Sequence, residues 1–239
     1  MQTMIRLKYA TDQMFSPGGG ITVSYTFVKV KVANIAFAKD VAVMYRGVDG
    51  LWKDRPLVWL VSGGDYDVFH GSGPYTEEFA LRYSVGGNTY WDNNHGANYH
   101  LTNLRNASGD NVMLNRATAR RGVQAGGGFT FATSWIEGEI YVNNLSYAKE
   151  VGVRLSADGG ATWADTFAVY HGPASEATYV STTGVEVWKF KSPELNLDER
   201  SPVFLLAVFY RRLDSGDVFW DSNFARDYKL SKADGVTID

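Results

Sequence analysis

A chain of 239 residues with 45% hydrophobic, 14% aromatic and 21% charged side chains has the length of two ordinary domains. Its 23 basic and 26 acidic residues leave a formal net charge of -3, without the basic surplus a nucleic-acid binder uses to displace counterions from phosphates. Cysteine is absent, which excludes disulfides and thiolate metal sites, and no apolar run approaches the roughly 20 residues that cross a bilayer as a helix.

In chain order, Met1 to Tyr9 lacks the apolar stretch and cleavage site of a signal peptide. The expectation is therefore a cytoplasmic protein, or a secreted one whose signal has been removed. Pro17-Gly18-Gly19-Gly20 precedes a run that reads as a strand, so the glycines close a hairpin. A phosphate-cradling loop would need a helix N-terminus beyond them. Thr22–Phe27, Val30–Val32, Val41–Tyr45 and Phe79–Val85 are short, rich in β-branched and aromatic residues, and partly alternating, as strands are. Turn signals separate them at Asp49-Gly50, Ser62-Gly63-Gly64-Asp65, Gly71-Ser72-Gly73-Pro74 and Gly86-Gly87-Asn88. A strand over Thr89–Trp91 points Tyr90 and Trp91 to opposite faces, so at least one of them leaves the core. Val203–Tyr210, between Pro202 and Arg211, reads as a buried strand. No window carries a sustained helical period.

The chain also repeats itself. The segment Val30 to Val43 is echoed by Ile140 to Val153, with Phe37 and Tyr147 110 residues apart. The glycines at 18–20 match those at 126–128, an offset of 108, and Trp91 to Leu101 matches Trp220 to Leu230 at 129. Offsets that grow in order along the chain indicate two copies of one domain, joined between Thr102 and Asp110. The expected fold is all-β: two tandem antiparallel β-sandwich (immunoglobulin-like) domains, residues 1–104 and 105–239.

Catalytic and metal constellations are not found. His95 and His100 stand near Asp92, but Phe224 and Lys229 occupy the corresponding places in the second copy. No metal and no cofactor is expected. Asp65, Asp67, Glu77 and Glu78 could suggest a glycosidase pair, yet they have no clear equivalents in the second copy and read as ordinary loop acids. The segment Trp91-Asp92-Asn93-Asn94-His95-Gly96-Ala97-Asn98-Tyr99 is more telling. A flat indole can stack on the C–H face of a pyranose, and neutral amides can bridge its hydroxyls.

An early Val-x-Asn-Ile/Leu-x-Tyr/Phe-x-Lys-x-Val segment (Val32 to Val41, Val142 to Val151) and this late segment (Trp91 to Tyr99, Trp220 to Tyr228) occur twice and in order. The arrangement resembles carbohydrate-binding module family 21, the starch- and glycogen-binding domains of some fungal glucoamylases and of glycogen-targeting phosphatase subunits. The resemblance implies one binding surface with platforms at Trp52 and Trp91 in the first copy and Trp163 and Trp220 in the second, with polar contacts from Asn93 and Asn98. It implies a further site around Phe37 with Lys39, and Tyr147 with Lys149. Trp59, Tyr66, Tyr170 and Tyr179 are candidate aromatics for that site. A third platform tyrosine of the family falls on Ala80, and Ser222, Phe224 and Asp227 replace Asn93, His95 and Asn98, so the late site of the second copy should bind more weakly.

The function implied is non-catalytic binding of α-1,4-glucan, as polysaccharide or oligosaccharide, with a glucan-active enzyme as a conceivable partner and neither nucleic acid nor membrane. The alternative is a protein-interaction or scaffold module that keeps the carbohydrate-binding fold. A phosphatase-docking segment of Arg/Lys-Val-x-Phe type is not found.

Overall fold

The computed structural model describes every residue except 1–2, 102–105, 108–109, 127, 175–183 and 197–200. The first half holds β1 (Ile5–Gly18), β2 (Ile21–Ala33), β3 (Lys39–Arg46), β4 (Trp52–Pro56), β5 (Val58–Ser62), β6 (Tyr66–Pro74), β7 (Glu78–Val85), β8 (Asn88–Asp92), β9 (Tyr99–His100) and β10 (Asn106–Ala107). The second holds β11 (Val112–Gly126), β12 (Phe129–Asn143), β13 (Lys149–Ser156), β14 (Ala164–Phe167), β15 (Val169–Pro173) and β16 (Val185–Lys191). It continues with β17 (Leu195–Asn196), β18 (Val203–Arg212), β19 (Val218–Asp221), β20 (Tyr228–Ser231) and β21 (Thr237–Ile238). The chain forms two compact units, residues 1–110 with 173–185, and residues 111–172 with 186–239. The expected join falls largely on residues outside those described.

Each unit is all-β and carries two antiparallel sheets, and the two units repeat one topology. In the first unit the sheets run β10-β1-β2-β6-β5 and β4-β3-β7-β8, with β9 also on β7. In the second they run β21-β11-β12-β16-β15, with β17 on β12, and β14-β13-β18-β19, with β20 on β18. The duplication read from the offsets is therefore a duplication of sheet order.

Period-two patterning explains the core. Val28, Val30 and Val32 on β2, Val41 and Val43 on β3, and Phe79, Leu81, Tyr83 and Val85 on β7 all turn inward into one cluster drawn from both sheets. Burying such a side chain contributes about 1.5–3 kcal/mol each. Tyr83 also donates its hydroxyl to the Ala33 carbonyl at 2.8 Å. Burial pushes its phenol up to about 12. In the second unit Val151, Val153 and Leu155 on β13 and Phe204, Leu206, Val208 and Tyr210 on β18 play the same part.

Two details differ from the sequence reading. Thr22–Phe27 and Val30–Val32 are parts of the single strand β2, because Val28 and Lys29 continue the alternation without a break. The glycine hairpin is preceded by a 14-residue strand, β1, that the reading did not assign. Gly18, Gly19 and Gly20 close the β1–β2 turn with φ of 101°, 67° and 77°, a left-handed conformation that glycine adopts without strain.

Candidate carbohydrate-binding surfaces

The late segment begins where β8 leaves the sheet. Tyr90 packs against the core and Trp91 faces out, 52% exposed, as alternation requires. Asp92 turns inward. One carboxylate oxygen accepts the Leu7 N–H at 2.8 Å, and the other accepts the Tyr99 hydroxyl at 2.7 Å and the Asn94 N–H at 3.3 Å. Leu7 lies where the β1–β2 register shifts, between Leu7 and Tyr9. The second unit repeats the device: Asp221 accepts from the Leu114 N–H, the Tyr228 hydroxyl and the Asn223 N–H, beside the register shift between Leu114 and Arg116. The Asp and Tyr of the motif are thus scaffold, tying the late loop to the first strand.

Its asparagines serve the turn in part. Asn93 accepts the Gly96 N–H on its side-chain oxygen at 3.0 Å, and Asn94 donates to the Asn98 carbonyl at 3.1 Å. Asn94, His95 and Asn98 take positive φ, which asparagine tolerates better than most residues. Asn98 donates to Glu78 at 2.8 Å, and Arg46 reaches the other oxygen of that carboxylate at 3.4 Å. The Asn98 bond first, and Arg46 after it, hold the Glu78 carboxyl below its usual range. Asn93 and Asn98 each have one side-chain arm committed internally. In the second unit Asn223 and Phe224 are buried, and burial raises the Asp227 carboxyl that stands where Asn98 would.

Trp52 opens β4 opposite Arg46, and Trp91 stands opposite Arg82. The two indoles share a sheet face but are separated by three strand spacings and four residues, roughly 20 Å by standard strand geometry. Both are about half exposed. Ala80, opposite Met44, floors the space between them. In the second unit Trp163 is presented by a self-bonded loop. Asp158 accepts from the Ser156 hydroxyl at 2.7 Å and from the Thr162 N–H and hydroxyl at 2.9 and 2.6 Å, and Trp163 donates its indole N–H to the Gly160 carbonyl at 3.1 Å. These bonds, the Thr162 hydroxyl foremost, hold the Asp158 carboxyl well below its usual range.

The second pair of predicted sites is an open groove in each unit. In the first, about 720 Å³ is lined by Asn34, Ile35, Phe37, Lys39, Trp59, Asp67 and Phe69, among others. In the second, about 750 Å³ is lined by Asn144, Leu145, Tyr147, Lys149, Tyr170, Glu186 and Trp188, with Ser146. Phe37 and Tyr147 stand fully exposed on the lips, on the loops between β2 and β3 and between β12 and β13. Trp59 and Tyr170 are more than half exposed. Beneath each lip runs a buried ion pair: Lys39 to Asp67 at 2.7 Å, and Lys149 to Glu186 at 2.9 Å. Glu186 also accepts the Trp188 indole N–H at 2.8 Å, and Lys149 also donates to Asn144 at 2.7 Å. The pairs lock the floors and leave the aromatic walls to meet a ligand.

Several groove residues escaped the sequence reading. Asp67, read as a loop acid without an equivalent, lies on β6 inside the ion pair and corresponds to Glu186; Phe69 and Trp188 were missed. The shared signal was Asp67-Val68-Phe69 against Glu186-Val187-Trp188, acid, valine, aromatic, at an offset of 119. Tyr66 is only 1% exposed and does not line the groove; this candidate is corrected by the strand's alternation, which puts it opposite Ala33 on the other face of β6 from Asp67 and Phe69, buried beneath the Lys31 ammonium and against Gly63. Tyr179 lies outside the described residues.

These surfaces offer flat aromatic faces, grooves of a size that holds small ligands, and polar groups at the rims. The profile described as carbohydrate/starch-binding module (family 21) matches residues 110–231, just over half of the chain. The chain belongs to this family. Glucoamylase 1 of Rhizopus oryzae is 34% identical over 82 residues, which is 31% of this chain and 14% of that protein. Protein phosphatase 1 regulatory subunit 3C-B of Danio rerio is 37% identical over 103 residues, 37% of this chain and 32% of that protein. The alignments thus span a third or less of those relatives' lengths. Among solved structures, the starch binding domain of Rhizopus oryzae glucoamylase in complex with β-cyclodextrin and maltoheptaose is 29% identical, covering 42% of this chain and 93% of that domain with a TM-score of 0.32. The carbohydrate binding module of the muscle glycogen-targeting subunit of protein phosphatase-1 is 22% identical, covering 51% and 76%, with a TM-score of 0.31. Family 21 is a binding family and not a catalytic one. Among the described residues no group of three or more His, Asp or Glu could hold a metal ion.

Proposed function

We propose that this protein is a non-catalytic binder of α-1,4-glucan, starch or glycogen, built of two family 21 modules, residues 1–104 and 105–239, each an immunoglobulin-like β-sandwich. The two grooves are its principal sites. One observation carries the reading: Phe37 and Tyr147 stand wholly in solvent on equivalent lips, each facing a second exposed aromatic across a rigid floor. An exposed aromatic ring offers a large flat area to the C–H face of a sugar and has only two side-chain torsions to order on binding. The family description, carbohydrate and starch binding, fits the same ligand class. On the outer sheet face Trp52 and Trp91, with Asn93 and Asn98 at the rim, form a further platform suited to a long glucan, since their spacing exceeds a single ring.

Native electrophoresis through gels with and without soluble starch tests this. The wild type should be retarded by starch, and a double F37A and Y147A variant should lose most of that retardation while keeping its thermal transition, because neither side chain is packed. A wild type that runs alike in both gels, or a double variant retarded like the wild type, would refute the assignment.

A further inference from the structure

We infer that Arg154 occupies the stacking face of Trp220, closing the second unit's late platform with an internal stand-in for the sugar. The inference rests on the glucan-binding reading above. Arg154 on β13 stands opposite Asp165 on β14 and Ala207 on β18, while Trp220 on β19 stands opposite Phe209. The guanidinium is gripped by Asp165 through two parallel bonds of 2.7 and 2.8 Å. Its central carbon lies over the Trp220 ring at 5.0 Å, close enough for a cation–π contact. Phe209 meets the same indole at 5.4 Å, tilted by 49°. Ala207 leaves the space between the arginine and the indole free of any larger side chain. A pyranose can lie on that ring only if the guanidinium withdraws and its two charge-assisted bonds to Asp165 are broken.

The first unit provides the comparison. By strand register Met44 takes the place of Arg154, Asp54 that of Asp165, Arg82 that of Phe209 and Trp91 that of Trp220. Methionine offers no cation. Arg82, directly opposite Trp91, is drawn away to Asp40 and Asp54 at 2.9 and 3.3 Å. Trp91 is left open at 52% exposure, against 41% for Trp220. Of the two differences beside the indole, Met44 against Arg154 and Arg82 against Phe209, the arginine is the one that lays a cation over the ring.

The full chain labelled with 5-fluorotryptophan and titrated with maltoheptaose in ¹⁹F NMR separates the possibilities, with Trp220 assigned through W220F. In the wild type Trp59 and Trp188 should shift while Trp220 stays still. In R154M, which copies the first unit, Trp220 should respond, with a midpoint at least about tenfold below the highest maltoheptaose concentration at which wild-type Trp220 is still silent, the order of a desolvated cation–π contact. D165N keeps the arginine but removes its clamp, and should give a partial response. A wild-type Trp220 that moves together with Trp59 and Trp188 overturns the inference. So does a Trp220 that stays silent in both variants while the groove tryptophans respond. Silence of Trp59 and Trp188 beside a responding Trp220 in R154M refutes the groove assignment and upholds the inference, and silence of all three in every variant overturns both.

Discussion

Asp92 shows how one residue of a recognition motif can serve the fold instead of the ligand. Its carboxylate is largely buried and takes bonds from Leu7, Tyr99 and Asn94. Replacing it by Asn keeps the shape but leaves one acceptor oxygen where two served, so either the Leu7 N–H or the Tyr99 hydroxyl goes unpaired. The D92N variant should lose about 1–3 kcal/mol of stability, the usual cost of a stranded buried polar group. The pH dependence has a definite sign. Burial, outweighing the bonds from Tyr99 and Leu7, raises the Asp92 carboxyl above 3.8. A raised folded value means its contribution is complete below the unfolded value and is lost as pH rises through the folded one. Thermal melts across this range should show the gap between wild type and D92N widest at low pH and narrower above the carboxylate range. A gap that widens with rising pH would contradict the burial argument. Trp91 was legible as a candidate because it stands beside amides on a strand that turns one aromatic outward, whereas Phe37 and Tyr147 were reached only through the resemblance of the early segment to the family. The committed arms of Asn93 and Asn98 were not legible, because a bond from Asn98 to Glu78 crosses 20 residues and depends on how β9 returns to β7.

Among the elements, the interior strands were the most readable. β7 carries its large apolar residues at every second place before Gly86-Gly87, while β3 and β18 are short, continuous apolar runs with charged residues at their ends, and all of these signals are local. The long hairpins were less readable. β1 pairs with β10 only at Ala10 and Thr11, and β2 pairs with β6 from Tyr25 onward, so residues 13–24 form a ribbon of two strands with exposed faces. Met14, Phe15 and Ile21 are apolar there without a core to fill, which weakens any reading based on burial. Such a ribbon is marginal by itself. Hydrogen exchange followed by mass spectrometry should therefore show amides of Gln13–Val23 exchanging orders of magnitude faster than those of Val28–Val32, which lie in the core sheet. Equal protection along β2 would mean that the ribbon is covered in solution. The groove floors lay beyond local reading for a different reason. Asp67 and Lys39 meet only because β6 runs beside β2, and 28 residues of sequence hide the pair.

For the whole molecule the duplication itself calls for a physical reason, and the proposed glucan binding in both grooves would supply one. An open groove with a solvent-exposed lip holds a short sugar loosely. On that proposal, once one groove engages a long glucan the other would meet the same polymer at a high effective concentration, which can raise affinity by ~10² over a single site. Disabling one groove at a time exposes the effect without cutting the chain. On amylose, a F37A and W59A variant and a Y147A and W188A variant should each bind far more weakly than the wild type, with a loss approaching ~10², although one groove is intact in both. On maltotriose, too short to be shared, each variant should keep the affinity of its remaining groove and lose only stoichiometry in calorimetry. If amylose affinity falls by no more than about half in either variant, the two grooves act independently. The duplication would then add capacity without avidity, and the open platform of Trp52 and Trp91 would have to account for any preference for polymer.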